Sequence, residues 1–223
     1  LLMLLYHLYF NMRYLFQFDI AFLSWEPVSI AMLVLGRISA LLFMSLCGVC
    51  ANLSKNCLLN GIKVFSMGLL VTAATFTADY FWQTGILIQF GILHLLGISL
   101  LLCFLLRNQT EGVLFLIALG IFVCGLLVNR VTVPVSYLFP FGLLRPGFFS
   151  ADYYPLIPYS AYVLLGFAFG KNLYRKRESR FRFSLPDNPV SFIGRHSLLF
   201  YLLHQVVLLA LLSAAAWLIK IAF

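Results

Sequence analysis

Charge is scarce in this chain. Lys, Arg, Asp and Glu make up 10% of its 223 residues, where soluble domains carry about 25%. Too few polar side chains are available to clothe a water-soluble surface, so a soluble globular domain is excluded. The opening apolar run, residues 1–5, has neither a basic flank nor a small-residue cleavage site. That excludes a signal peptide, and the run reads as a helix already under way, truncated at its start. No second C-x-x-C accompanies Cys47 and Cys50. Those two and Cys57, Cys103 and Cys124 therefore read as small apolar packing residues, with no metal or redox centre expected. No Ser-His-Asp or Cys-nucleophile arrangement is evident. Inverted repeats are absent too, because the two halves share no matching pair of Gly/Pro-interrupted helices. This counts against a transporter.

What the chain has is apolar mass: 63% hydrophobic residues, among them 23 Phe. Lipid tails accept such an exterior, and spans of about 20 residues use up the length as one bundle. The expected fold is all-α, a polytopic integral membrane helical bundle of about seven transmembrane helices in a single domain, residues 1–223. Apolar runs bounded by polar punctuation put spans at residues 1–10, 27–51, 62–78, 85–106, 112–128, 156–169 and 197–221. Residues 12–26 mix aromatics with single charges, as suits a loop or an interfacial segment. Residues 129–154 carry Pro134, Pro140 and Pro146 in apolar surroundings. They read as a re-entrant or packed loop, tolerable at membrane depth only against protein.

Orientation follows from the basic residues. Lys55, Lys63, Arg107, Lys171, Arg175, Lys176, Arg177, Arg180, Arg182 and Arg195 fall on one side. Only Arg13, Arg130 and Arg145 fall on the other. Cytoplasmic loops collect Lys and Arg, so the first set faces the cytoplasm. The net charge of +8 is a topology signal that meets anionic membrane lipid, and no nucleic-acid partner is implied.

An ionisable residue inside a membrane span costs roughly 2.5–3.5 kcal/mol on insertion scales and must face protein or a wet cavity. His7, Arg37, His94 and His204 lie inside expected spans, and Asp79 and Asp152 at outer ends. With about 1.5 Å of rise per residue, Arg37, His94 and His204 each come to about 15 Å depth. His7, Asp79 and Asp152 lie outside that layer, towards the exterior. A single intramembrane His often only bonds a neighbouring helix, but the constellation favours a site with an outward vestibule. Its residue types serve acid–base or ion-relay chemistry, so a proton-coupled transporter or channel is the runner-up class and a structural membrane subunit the third.

Four motifs carry a family resemblance: GRISALLFMSLCGV (residues 36–49), FGILHLLGIS (90–99), SADYYPLIPYSAYVLLGFAFG (150–170) and IGRHSLLFYLLHQ (193–205). They resemble, in order and over essentially the whole chain, bacterial relatives of heparan-α-glucosaminide N-acetyltransferase, within the wider transmembrane acyltransferase group. The lysosomal members carry Asn where His7 aligns, Gln near the position of His94, and a last-helix His matching His204. Their essential His lies in the following loop, a stretch without His in this sequence.

The resemblance implies an acyltransferase of a multi-pass bacterial inner (plasma) membrane. Acetyl-CoA would be co-substrate from the cytosol, no metal would be needed, and the acceptor would be an amine or hydroxyl of an extracytoplasmic glycan or amino sugar. A homo-oligomer is compatible with this picture. The catalytic set would be His7, His94, Arg37, Asp152 and His204, with His7 or His94 as base and Arg37 at the thioester or oxyanion. Arg37, Lys171, Arg175, Lys176, Arg177 and Arg195 would bind the cofactor, the basic cluster lying near its nucleotide.

Overall fold

The computed structural model describes residues 2–18, 20–83, 85–128, 130–175 and 188–222. Nine α-helices are described: α1 Leu2–Phe10, α2 Ala21–Ser24, α3 Glu26–Leu53, α4 Cys57–Trp82, α5 Ile92–Leu105, α6 Glu111–Val128, α7 Leu156–Leu173, α8 Pro189–Arg195 and α9 Ser197–Ala222. Among the described residues there is no β-sheet, only isolated bridges between Phe90 and Tyr153 and between Thr132 and Leu144. The protein is an all-α membrane bundle. Four of its helices are long and apolar enough to cross a bilayer unaided: Glu26–Leu53, Cys57–Trp82, Glu111–Val128 and Ser197–Leu218. Their outward Leu, Ile, Val and Phe side chains are exposed, for example Leu46, Leu70, Leu116 and Val206. A lipid environment removes the cost of that exposure.

Polar punctuation sets the helix ends. Asn56 caps α4 by accepting the Leu59 N–H at 3.2 Å, and Gln83 closes it in a left-handed conformation, φ +50°. Tyr80, Phe81 and Trp82 stand exposed on that last turn, where aromatic rings suit the headgroup zone. Pro189 opens α8 behind an Asn188–Ser191 capping box.

The chain divides into two compact units, residues 1–40 with 181–223 and residues 41–180. In the first, α1 meets α9 and runs on into a π-helical turn, Asn11–Leu15. The buried Tyr9 hydroxyl donates to Leu23 O (3.1 Å) and is hydrogen-bonded to the Ser29 hydroxyl (2.7 Å), which ties α2 and the start of α3 to α1. The segment expected as a loop or an interfacial segment over 12–26 is partly helical.

In the second unit, α4 packs on α5 and α6 on α7, with α5 against α7. Helix α5 is apolar all round and almost wholly buried, as a central helix must be. The expected fourth span, 85–106, is shorter than read: α5 begins at Ile92 and its 14 residues reach about 21 Å, short of a hydrocarbon core of about 30 Å. Residues 85–91 leave the helix because side chains serve their backbone. Thr75 Oγ1 accepts the Ile88 N–H at 3.2 Å and Thr72 Oγ1 donates to Ile88 O at 2.7 Å. The 129–154 connection, expected to pack on protein, docks on this segment. Ala151 N–H reaches Leu87 O (2.9 Å), Tyr154 N–H reaches Phe90 O (3.1 Å), and Ser150 Oγ accepts the Gln89 N–H (3.1 Å).

The residues of α3 in this unit cross α7 with backbones almost touching. A β-carbon at Gly48 would sit 1.9 Å from Val163 O, and one at Gly166 would sit 1.9 Å from Ser45 O. Asn52 Nδ2 seals the crossing by donating to Gly170 O at 3.0 Å. Small residues permit such approach in membranes, where packing rather than hydrophobic burial joins helices. Replacing Gly166 by Ala should force the crossing apart, at the roughly 1–3 kcal/mol typical of overpacking. A lower melting temperature of purified Gly166→Ala, against an unchanged Gly112→Ala control whose added carbon meets nothing within 4 Å, checks this.

Candidate active site

Two groups of polar residues set among apolar helices stand out, one in each unit. In the first, His7 on α1 meets His204 on α9 with His204 Nε2 3.4 Å from His7 Nδ1 and ring centroids 4.9 Å apart. Backbone carbonyls decide the tautomers. A carbonyl only accepts, so His204 Nδ1, 2.5 Å from Tyr201 O, carries a proton. His204 Nε2 is then a lone pair. His7 Nδ1, 2.9 Å from Met3 O, also carries a proton and shares it with that lone pair. The remaining nitrogen, His7 Nε2, is a basic lone pair with no partner among the described residues. If it takes a proton, the new positive charge is held at the other end of the ring by Met3 O and His204 Nε2. That is the arrangement of a base with its orienting group. Beside it, Gln205 Nε2 donates to Asn11 Oδ1 at 3.1 Å.

This pairing revises the expected depth, in which His7 lay outside the layer of His204. Arg37 belongs to the same unit. Its side chain is exposed on α3, and it makes no hydrogen bond or ion pair to a described residue.

In the second unit His94 lies in the first turn of α5, not nine residues into a span starting at Gly85. The ring is buried between Phe90, stacked at 5.2 Å, and the edge of Phe65 at 5.7 Å. Its Nδ1 accepts the Gly91 N–H at 3.3 Å. Nε2 must then hold the proton, which points to Thr72 Oγ1 at 3.4 Å, whose own proton goes to Ile88 O. Both nitrogens of His94 are therefore engaged in holding the entry of α5. Asp152 reaches the same place from the long connection, accepting the Ile92 N–H at 3.1 Å through Oδ2. A carboxylate at a helix start is favourable, and Gly91 makes room for it: a β-carbon there would lie 2.5 Å from Oδ2.

The basic residues divide three ways. Lys171 Nζ donates to Arg107 O at 2.8 Å and to Gln109 O. Arg175 pairs with Glu111 at 3.4 Å. Both thus tie the α5–α6 connection to the end of α7. Arg195 closes α8. Lys176 and Arg177, with Arg180 and Arg182, lie outside the described residues. The five cysteines are free, and no group of three metal-ligating side chains is found among the described residues.

Sequence reasoning passed over Asn11, Gln205 and Thr72. The first two had a readable signal, an amide inside an apolar run, but only ionisable residues were weighed. Thr72 had none, since Thr is common in membrane helices.

Apolar helices long enough to span a bilayer, with polar groups set between helices within each unit, define a polytopic membrane protein. The family model described as heparan-alpha-glucosaminide N-acetyltransferase, catalytic, matches residues 1–206, and the chain belongs to that family. Its class is accordingly that of integral membrane acetyltransferases. No curated protein and no solved structure matches the chain.

Asp152 makes a pH prediction. Burial pushes its carboxyl up from 3.8 to about 6, against the opposing pull of the Ile92 N–H. The folded state therefore binds this proton more readily than the unfolded chain does. The stability it contributes is present below about pH 4 and lost as pH rises through about 6. Asp152→Asn keeps an acceptor for Ile92 without the charge. Its melting temperature should match wild type near pH 4 and exceed it at pH 7; parallel melting curves across that range would remove the claim.

Proposed function

We propose that the protein transfers an acetyl group from cytosolic acetyl-CoA to an amine or hydroxyl of an extracytoplasmic sugar. Membership of the family supports acetyl transfer. The observation that carries the mechanism is the ordered tautomer pair of His7 and His204, which presents His7 Nε2 as an open base.

In the reaction the acceptor nitrogen or oxygen attacks the thioester carbonyl carbon. Its proton passes to His7 Nε2. The C–S bond then breaks, and the CoA thiolate takes that proton as it leaves. His204 is a positioning residue, since it holds the His7 tautomer and shares the transient charge. Arg37, in the same unit, is the cation proposed to meet the anionic donor, with Arg195, Lys176 and Arg177 proposed for its phosphates. Lys171 and Arg175 are committed to the α5–α6 connection, so their charge is assigned to holding that turn. We assign His94 and Asp152 to shaping the start of α5; with both His94 nitrogens engaged, the base is placed at His7.

Two measurements test this reading. Acetyl-CoA and a non-hydrolysable analogue should both raise the melting temperature of the purified protein; at a hundredfold excess over Kd the linkage amounts to about 2.7 kcal/mol. His7→Ala should lower turnover at least about a hundredfold in protein that still elutes as a folded species. His204→Ala should cost less, because the base itself remains. Arg37→Ala should chiefly raise KM for acetyl-CoA, with Arg37→Lys a poor rescue because a point charge replaces a planar fork. Wild-type turnover in folded His7→Ala would take the residue out of the mechanism.

A further inference from the structure

Resting on the acetyl-transfer reading above, we infer that Asn11 is a further catalytic residue, whose amide N–H holds the carbonyl oxygen of the acetyl group while His7 removes the acceptor's proton. Gln205 is the positioning residue that aims it. Asn11 is 1% exposed, yet its Nδ2 has no hydrogen-bond partner among the described residues, and neither has Gln205 Oε1. Burying an amide group unanswered is costly, and such exceptions in a folded protein call for a bound group.

The pair is half closed. Gln205 Nε2 donates to Asn11 Oδ1 at 3.1 Å, which fixes the Asn11 amide and leaves Nδ2 as its free end. The pair thus offers one N–H, from Asn11, and one carbonyl, from Gln205. These match the two new needs of an acyl transfer, a donor for the acyl oxygen and an acceptor for the incoming N–H or O–H.

Placement relates the pair to the base. Asn11 follows His7 by four residues, so it lies about one turn further along the same face, roughly 6 Å on. Gln205 is the neighbour of His204 on the facing helix. The two cross-helix contacts, His to His and Asn to Gln, thus sit side by side between α1 and α9. Asn11 also opens the π-helical turn, its carbonyl accepting the Phe16 N–H at 2.8 Å across five residues. Such widened turns occur frequently at functional sites.

The step balances as follows. The acceptor lone pair forms the new bond to the carbonyl carbon, and the carbonyl π pair moves onto the oxygen held by Nδ2–H. His7 Nε2 takes the acceptor's proton. Collapse re-forms the carbonyl, expels the CoA thiolate and returns the proton to it. A donor aimed at the developing oxyanion acts on kcat rather than on substrate binding, and removing one costs about 10²–10³-fold.

The test uses the full chain in lipid nanodiscs, with acetyl-CoA as donor and glucosamine as probe acceptor. CoA release is followed by mass spectrometry and folding by thermal melt. Asn11→Asp keeps the shape without the N–H, and Asn11→Leu removes both polar atoms. In each, kcat should fall about 10²–10³-fold while KM for acetyl-CoA stays within about threefold. Asn11→Ser, which keeps a shorter donor, should recover part of the loss. Gln205→Leu should lower kcat about tenfold at unchanged KM. If the pair only holds a structural water, Asn11→Leu will change the melting temperature but leave kcat within about threefold of wild type, and the inference is overturned. Should Asn11→Asp fail to fold, Asn11→Leu and Asn11→Ser decide by the same criterion. Wild-type CoA release no greater than that of His7→Ala overturns the acetyl-transfer reading itself. Active wild type with equally active Asn11→Leu overturns only the assignment of Asn11.

Discussion

A bilayer has no water to satisfy a backbone that leaves the helix, and the second unit is organised around meeting that requirement. Residues 85–91 are non-helical, and groups from other elements answer them and the start of α5: Thr72 and Thr75 from α4, Ser150 from the long connection, and Asp152 from that connection at Ile92. Each hydroxyl or carboxyl takes a backbone N–H or C=O that lipid would leave orphaned. The arrangement also explains why α5 starts late, why the 129–154 connection lies against it, and why His94 is buried with both nitrogens in use. Removing one hydroxyl would expose not a surface loop but a backbone with nowhere to turn.

The first unit meets a different constraint with similar means. Polar side chains lie between α1 and α9, and they answer one another almost completely: His7 with His204, Asn11 with Gln205. Of these four side chains, what remains over among the described residues is one histidine lone pair, one amide donor and one amide acceptor. Apolar packing alone would have left none, so the residual polarity is chemistry the bundle carries in addition to its fold.

Most of the fold was legible because lipid writes it in composition. The runs at 27–51, 112–128 and 197–221 differ from α3, α6 and α9 by at most two residues at either end. The start of α5 was not legible. Residues 85–91 are as apolar as a helix, and the groups that hold them out of one lie elsewhere in the chain, the hydroxyls of α4 thirteen or more residues upstream and Ser150 61 residues downstream. The site was legible as an inventory of costly groups and illegible as a geometry. His7 and His204 are 197 residues apart, and counting rise along each helix separately assigned them different depths. Arg37, read as deep, stands exposed on its helix. Asn11 and Gln205 were overlooked because an amide carries no charge, although burial makes it nearly as informative.

The π-helical turn at Asn11–Leu15 holds one more residue than an α-helical turn would. An added residue of this kind is an insertion absorbed inside a helix without breaking it. Losing any one residue from that turn would restore a regular helix and rotate everything beyond it by about 100°. The aromatic pairing of Phe10 with Tyr14 and the tether of Arg13 over Tyr14 would be re-aimed, while His7, lying before the turn, would keep its place. Chain length at this one point is therefore a setting for the direction in which the chain leaves α1, acting after His7 and not on it.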